Sequence, residues 1–225
     1  MAEQLWTDVD EYLVNRLVPE DRDLEETLQA SANARLPRIN VAPNQGKLLQ
    51  LLALASKART ILEIGTLGGY STIWLARALP LGGRLVTLEA DPRRATVAQA
   101  NIDRAGLSEI VEIIVGPAAE TLPTLVAQHG GAFDFVFIDA NKSATTEYFT
   151  WSMELSHPGS LIVVDNVIRA GKVIDEVSSD EDVQGMRRFF DHLASEGRVS
   201  ATAMQTVGSK GHDGFVLALV IGGNG

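Results

Sequence analysis

Short runs rich in β-branched and other apolar residues recur along the chain: TILEIG (60–65), RLVTLEA (84–90), IVEIIVG (110–116), FDFVFIDA (133–140) and SLIVVDNV (160–167). Successive positions in these runs are apolar, so both faces would be buried, as in the strands of a parallel sheet covered on both sides. Between them lie segments of helical length and pattern, roughly 70–79, 92–105, 120–128 and 141–155. Such lengths suit right-handed crossovers. The alternation predicts an α/β fold on an open, doubly wound, mostly parallel sheet. A further helix near 182–196 precedes VSATAMQTV (199–207) and GFVLALVI (214–221), which the Gly-rich segment GSKGHDG joins as a terminal antiparallel hairpin. Upstream are helical stretches at about 2–17 and 20–34, the connection RLPRINVAP (35–43) and a helix opening near Asn44. No repeat, low-complexity tract or linker divides the chain, so residues 1–225 are expected to form one domain, with 1–40 an N-terminal helical cap and 41–225 the core.

Composition narrows the chemistry. The chain has 225 residues, 45% hydrophobic and 21% charged, with no apolar run of membrane-spanning length. The amphipathic, acidic N-terminus MAEQLWTDVDEYLVNRL lacks the basic and apolar regions of a secretory signal, so a cytoplasmic location is expected. With no cysteine, disulfides, thiolate nucleophiles and Cys-based zinc sites are excluded, and any metal must be held by oxygen or imidazole. A net charge of −10 without a Lys/Arg cluster disfavours nucleic acid as a partner. A small molecule is the better expectation.

In doubly wound folds ligands lie beyond the carboxyl ends of the strands, and those ends are polar here. The first strand runs into ILEIGTLGGYS, where Gly65, Gly68 and Gly69 permit a sharp turn and a close backbone approach to a ligand before a helix begins at about Tyr70. The spacing is not GxGxxG, and Glu63 on the strand would repel a pyrophosphate while suiting a cationic ligand. Glu89, closing the second strand, is placed to accept hydrogen bonds from ribose hydroxyls. Nicotinamide and adenosylmethionine sites share that last feature, so it leaves both open.

The fourth strand ends in FIDANK and the fifth in VVDNV, which brings Asp139, Asp165 and Asn166 to neighbouring strand ends as three hard oxygen donors. Such a set suits Mg²⁺ first, or Mn²⁺ or Ca²⁺, rather than zinc. Lys142, three residues after Asp139, can lean over the same place as a general base. The plainer alternatives are a helix cap for the Asp-Asn pair and a solvated helix-start position for the lysine. The four histidines have no common spacing, and Trp6, Trp74 and Trp151 sit at apolar helical positions; none is assigned a role.

From about Ile39 to Val220 these motifs resemble the cation-dependent O-methyltransferases, the group of catechol and caffeoyl-CoA O-methyltransferases and their bacterial relatives. The resemblance implies a Rossmann-like methyltransferase sheet and S-adenosyl-L-methionine as cofactor. INVAPNQG would place Val41 against the methionine end; Glu63, Gly65 and Ser71 would form the glycine-loop site, with Ser71 on the methionine carboxylate. Glu89 would hold the ribose, Ala118 would lie beside the adenine, and Asp139 would meet the cofactor as well as the metal. Asp139, Asp165 and Asn166 correspond to the family's metal ligands and Lys142 to its proposed base, while Asn141 departs from the usual aspartate or tryptophan. The implied reaction deprotonates a hydroxyl of a small hydroxylated aromatic, catechol-like or phenolic, which then attacks the sulfonium methyl in line. A homodimer is expected from the resemblance. The rival readings are an NAD(P)-dependent oxidoreductase, which predicts neither Glu63 nor the Asp/Asp-Asn set, and a non-catalytic cofactor-binding or assembly protein, which would have lost Lys142 or a metal ligand. The stretch VIRAGKVIDEVSSDEDVQ is long for a loop, and its start, Arg169 to Lys172, is placed either at the substrate pocket or on plain surface.

Overall fold

The computed structural model describes residues 2–222. Seven strands form one sheet: β1 (Thr60–Ile64), β2 (Arg84–Glu89), β3 (Val111–Val115), β4 (Phe133–Ile138), β5 (Ser156–Asp165), β6 (Val199–Gly208) and β7 (Gly211–Val220). Their order is β3-β2-β1-β4-β5-β7-β6. The first five run parallel, and β7 pairs antiparallel with both β5 and β6. The chain reverses direction across the sheet between β1 and β4, so their carboxyl ends flank the topological switch point.

Eight α-helices accompany the sheet: α1 (Ala2–Leu17), α2 (Arg22–Asn33), α3 (Pro43–Ala55), α4 (Tyr70–Ala76), α5 (Pro92–Arg104), α6 (Ala118–His129), α7 (Thr145–Leu155) and α8 (Glu181–Ser195). Alternation along β4 sorts the layers. Phe135 and Phe137 pack with Leu49 of α3, Ile73 of α4 and Ala98 and Ile102 of α5. Val136 and Ile138 face the other way, with Leu122 of α6, Phe149 of α7 and Phe189 of α8, and Phe133 joins them because the register shifts between Phe133 and Phe135. The central strands β1, β2, β4 and β5 thus bury apolar side chains on both faces, which is why their sequences read as continuous apolar runs. Helix starts follow local chemistry: Asp21, Asp91 and Asp180 each accept a hydrogen bond from a first-turn backbone N–H.

The predicted sheet, its order of elements and its closing hairpin are present, with two local differences. The segment 141–155 is divided into a 3-10 turn, Lys142–Ala144, and then α7. The Asn141 side chain accepts from Ser143 N at 3.2 Å and so holds the turn away from helical continuation. GSKGHDG is not a long connection: pairing continues to Gly208↔Gly211, leaving Ser209 and Lys210 as the tip. Within the N-terminal segment, α1 has no buried residue and lies along β6 and α3. Among the described residues no helix is long and apolar enough to cross a membrane.

Candidate active site

A cavity of about 1010 Å³ opens at the carboxyl ends of β1, β2, β4 and β5. This is the upper end of the range of about 300–1,000 Å³ usual for small-molecule sites, enough for a cofactor with a second ligand beside it. Val41, Gly65, Ser71, Glu89, Ala118, Asp139, Lys142 and Asn166 all line it. Glu63 and Asp165 stand immediately behind its wall, both buried.

At the β1 end the backbone turns at Gly65 with φ +104°, and a side chain there would run into the Asp139 carbonyl. Gly65 is what lets the ends of β1 and β4 meet. The loop then crosses to α4, and its position is fixed by side chains from elsewhere in the chain. Asn101 on the inner face of α5 donates to Gly68 O at 2.8 Å. Glu89 accepts from Leu67 N at 2.8 Å and from Asp91 N at 3.0 Å, which anchors its carboxylate at the cavity wall with lone pairs to spare. Glu63 accepts from three hydroxyls: Ser71 at 2.6 Å, Thr72 at 2.5 Å and Thr87 at 2.7 Å. Burial still pushes its carboxyl up to about 7, against the lowering effect of those three donors. Glu63 therefore reaches the cavity through Ser71 rather than directly.

At the ends of β4 and β5 the arrangement differs. Lys142, only 7% exposed, donates to Asp139 Oδ1 at 2.7 Å. Asp165 is 4% exposed, and its carboxyl is raised above the ordinary carboxylate range by burial first and then by the Asp139 charge. Two carboxylates so placed favour a cation between them. Asn166 follows with φ +57°, a left-handed conformation tolerated by asparagine, and lines the same cavity. Three oxygen donors and a lysine thus gather at one place. Among the described residues no group of three His, Cys, Asp or Glu side chains does so, because the third donor here is an amide.

The loop after Asn166 continues left-handed at Arg169, Ala170 and Gly171. It is held by Asp213 of β7, whose carboxylate accepts from Ile168 N at 3.0 Å and Arg169 N at 3.1 Å. Arg169 lines the cavity and pairs with Asp182 at 3.0 Å, so the start of this loop borders the pocket rather than plain surface. Several contributors escaped the sequence reading: Asn101, Thr72, Thr87, Tyr148 and Asp213. Asn101 carried a signal, a polar residue on the apolar face of α5 beside Ala98 and Ile102; Asp213 carried none, lying in a segment read as a turn.

Similarity to known proteins agrees with this geometry. A family model of O-methyltransferases matches residues 16–221. A catechol O-methyltransferase of Niastella koreensis is 54% identical over 220 residues, covering 98% of this chain and all of that protein. A catechol O-methyltransferase of Mycobacterium tuberculosis is 53% identical, covering 95% of each. Among solved structures, the O-methyltransferase from Bacillus cereus in complex with SAH has a TM-score of 0.95 at 54% identity over 96% of this chain and 99% of that one. TomG from Streptomyces achromogenes, in complex with SAM, has a TM-score of 0.95 at 51% identity over 99% of this chain and all of that one. On a family match that spans residues 16–221 and relatives more than half identical along nearly the whole chain, the chain belongs to the O-methyltransferase family.

Proposed function

We propose that this chain transfers the methyl group of S-adenosyl-L-methionine to a hydroxyl of a small catechol-like or phenolic substrate, with a divalent cation, Mg²⁺ foremost, at the ends of β4 and β5. The observation that carries the reading is the meeting of Asp139, Lys142, Asp165 and Asn166 at one end of a cavity whose other end is the glycine loop and Glu89. The donor set fits a hard cation: two carboxylates and an amide, with one carboxylate held above its ordinary range by burial and by the other's charge. A cation bound there would supply the positive charge that eases ionisation of a substrate hydroxyl.

The chain's own residues account for the rest. Glu89 faces the ribose hydroxyls, Ala118 the adenine, and Ser71, held by Glu63, the methionine carboxylate. Val41 and Gly65 leave room for the methionine end. Asp139, at the junction of the two halves, serves both ligands. Lys142 takes up the hydroxyl proton, and the low exposure of its head keeps water from competing. Placing both reactants in one cavity supplies proximity and alignment rather than a covalent intermediate. Relatives bearing the name catechol O-methyltransferase support the substrate class.

The reading also takes residues 1–225 as one catalytic domain acting in the cytoplasm as a homodimer. Its support is the surface of α1 and β6: Leu5, Val9, Tyr12, Leu13 and Leu17 share that region with Met204 and Val207, all exposed. An apolar edge strand of this length calls for a cover, and a second copy supplies one. The deciding experiment is methyl transfer from labelled S-adenosylmethionine to a panel of catechols, with chelator, after Mg²⁺ add-back, and in Asp165→Ala. Activity abolished by chelator, restored by Mg²⁺ and missing in the variant supports the proposal; chelator-resistant activity removes the cation from it, and failure to bind the cofactor overturns it.

A further inference from the structure

The lining of the cavity includes two cationic residues from parts of the chain far apart in sequence. Arg38 lies in the connection between α2 and α3, and Lys210 at the tip of the β6–β7 hairpin; both line the cavity. They are brought side by side: Lys210 Nζ donates to the Arg38 carbonyl at 3.3 Å. Loss of water around the lysine head, and then the Arg38 charge, hold its pKa below the ordinary lysine range. Neither cation makes an ion pair among the described residues. Asp10, beside the hairpin tip, accepts from Ser209 N at 2.7 Å and Asn44 Nδ2 at 2.8 Å and forms no ion pair with either cation. In a chain of net charge −10, two neighbouring cationic residues that line one cavity and have no ion-pair partner among the described residues give an anionic ligand a place to meet them.

The geometry points to a substrate that carries a carboxylate on a short arm opposite its reacting hydroxyl, with Arg38 and Lys210 as the residues that select it. This rests on the catechol reading and deepens it. The spacing agrees. Asp165 pairs with Phe215, and the hairpin tip at Gly211 lies four residues further along β7, about 14 Å at about 3.4 Å per residue. A dihydroxyphenyl ring with a short acidic arm, met by the Lys210 stem, fits such a span. The exposed apolar side chain of Ile39 and the ring of Pro37, also lining the rim, would flank the arm.

The test compares a dihydroxycinnamate with its methyl ester, which differ chiefly in charge, using full-length protein with S-adenosylmethionine and Mg²⁺. The acid is expected to exceed the ester in kcat/KM by about tenfold, the scale of a charge-assisted hydrogen bond at a partly wet site, and the preference should shrink as salt is added. Lys210→Met and Arg38→Met should bring the ratio of acid to ester toward one, and Lys210→Arg should keep it. Because the ratio is read within each variant, a general loss of activity does not mimic the result. Equal use of acid and ester, or variants that depress both alike, would overturn the inference while leaving the methyltransferase reading intact. Methylation of neither would bring down both. A dihydroxyphenyl phosphate monoester preferred over the acid would overturn the choice of carboxylate.

Discussion

Glu63 at the end of β1 and Asp165 at the end of β5 are both buried carboxyls, and burial is the largest cause of the upward shift in each. Their surroundings differ. Glu63 accepts from three hydroxyls of the chain itself, Ser71, Thr72 and Thr87, and is complete without a ligand. Asp165 accepts from the backbone N–H of Asn166 at 2.8 Å, and it faces the charge of Asp139 on one hand and the opposing influence of Lys142 and Gln45 on the other. The first carboxylate braces the loop between β1 and α4; in the proposed function the second would help to hold the divalent cation. Two acids alike in burial are thus told apart by their partners.

The largest effect is expected where the external partner is required. Asp165→Asn should lower methyl transfer at least about a hundredfold, the upper end of losses seen when a metal site's supporting groups are removed. The same change should raise the melting temperature of metal-free protein, since a buried charge facing another is replaced by a neutral group of similar shape. Thermal melting with increasing Mg²⁺ checks this: wild-type Tm should climb as bound ion adds stability, and the variant's should not. A variant less stable than wild type without the ion would break the contrast.

Lys142→Met comes next, with kcat expected to fall by about 10²–10⁴ and the KM for S-adenosylmethionine little changed. Steady-state kinetics with both substrates varied would show it. A loss confined to KM for the phenol would make Lys142 a substrate-holding residue instead.

A smaller effect sharpens the contrast through pH. The folded-state pKa of Glu63 is raised from 4.5 to about 7, so its stabilising contribution is complete below 4.5 and is lost as pH rises through about 7. Denaturant unfolding of chelator-treated protein across that window should show stability declining with pH, and Glu63→Gln should flatten the decline. A slope unchanged in the variant would remove Glu63 as its source.

The smallest expected change is from Ser71→Ala, which removes one of three hydroxyl donors to Glu63. A net loss of about 1 kcal/mol corresponds to a cofactor Kd weaker by about fivefold, measurable by calorimetric titration with S-adenosylhomocysteine. No change would mean that Thr72 and Thr87 alone orient Glu63.

Much of the candidate site was legible in sequence because doubly wound folds place ligands at strand ends, and strand ends can be read from where an apolar run meets a polar residue. Gly65, Glu89, Asp139 and Asp165 were found that way. Lys142 was found by its distance from Asp139. The hydroxyls that satisfy Glu63 were harder to see, since Thr72 and Thr87 lie within an apolar helix and strand, where threonine reads as a packing residue. Asp213 was hidden because its segment looked like a turn, whereas the strand pairing carries it to the loop that follows Asn166.

The sequence alone determined the alternation of strands and helices, the acids at the strand ends and the absence of thiol chemistry, because these depend on local pattern and composition. Tertiary structure decided the rest: that α1 lies along β6 and α3, that Glu63 stands behind Ser71, and that Arg38 and Lys210 come together. These depend on which residues far apart in the chain the packed sheet brings within a few ångströms, a relation that no spacing along the sequence encodes.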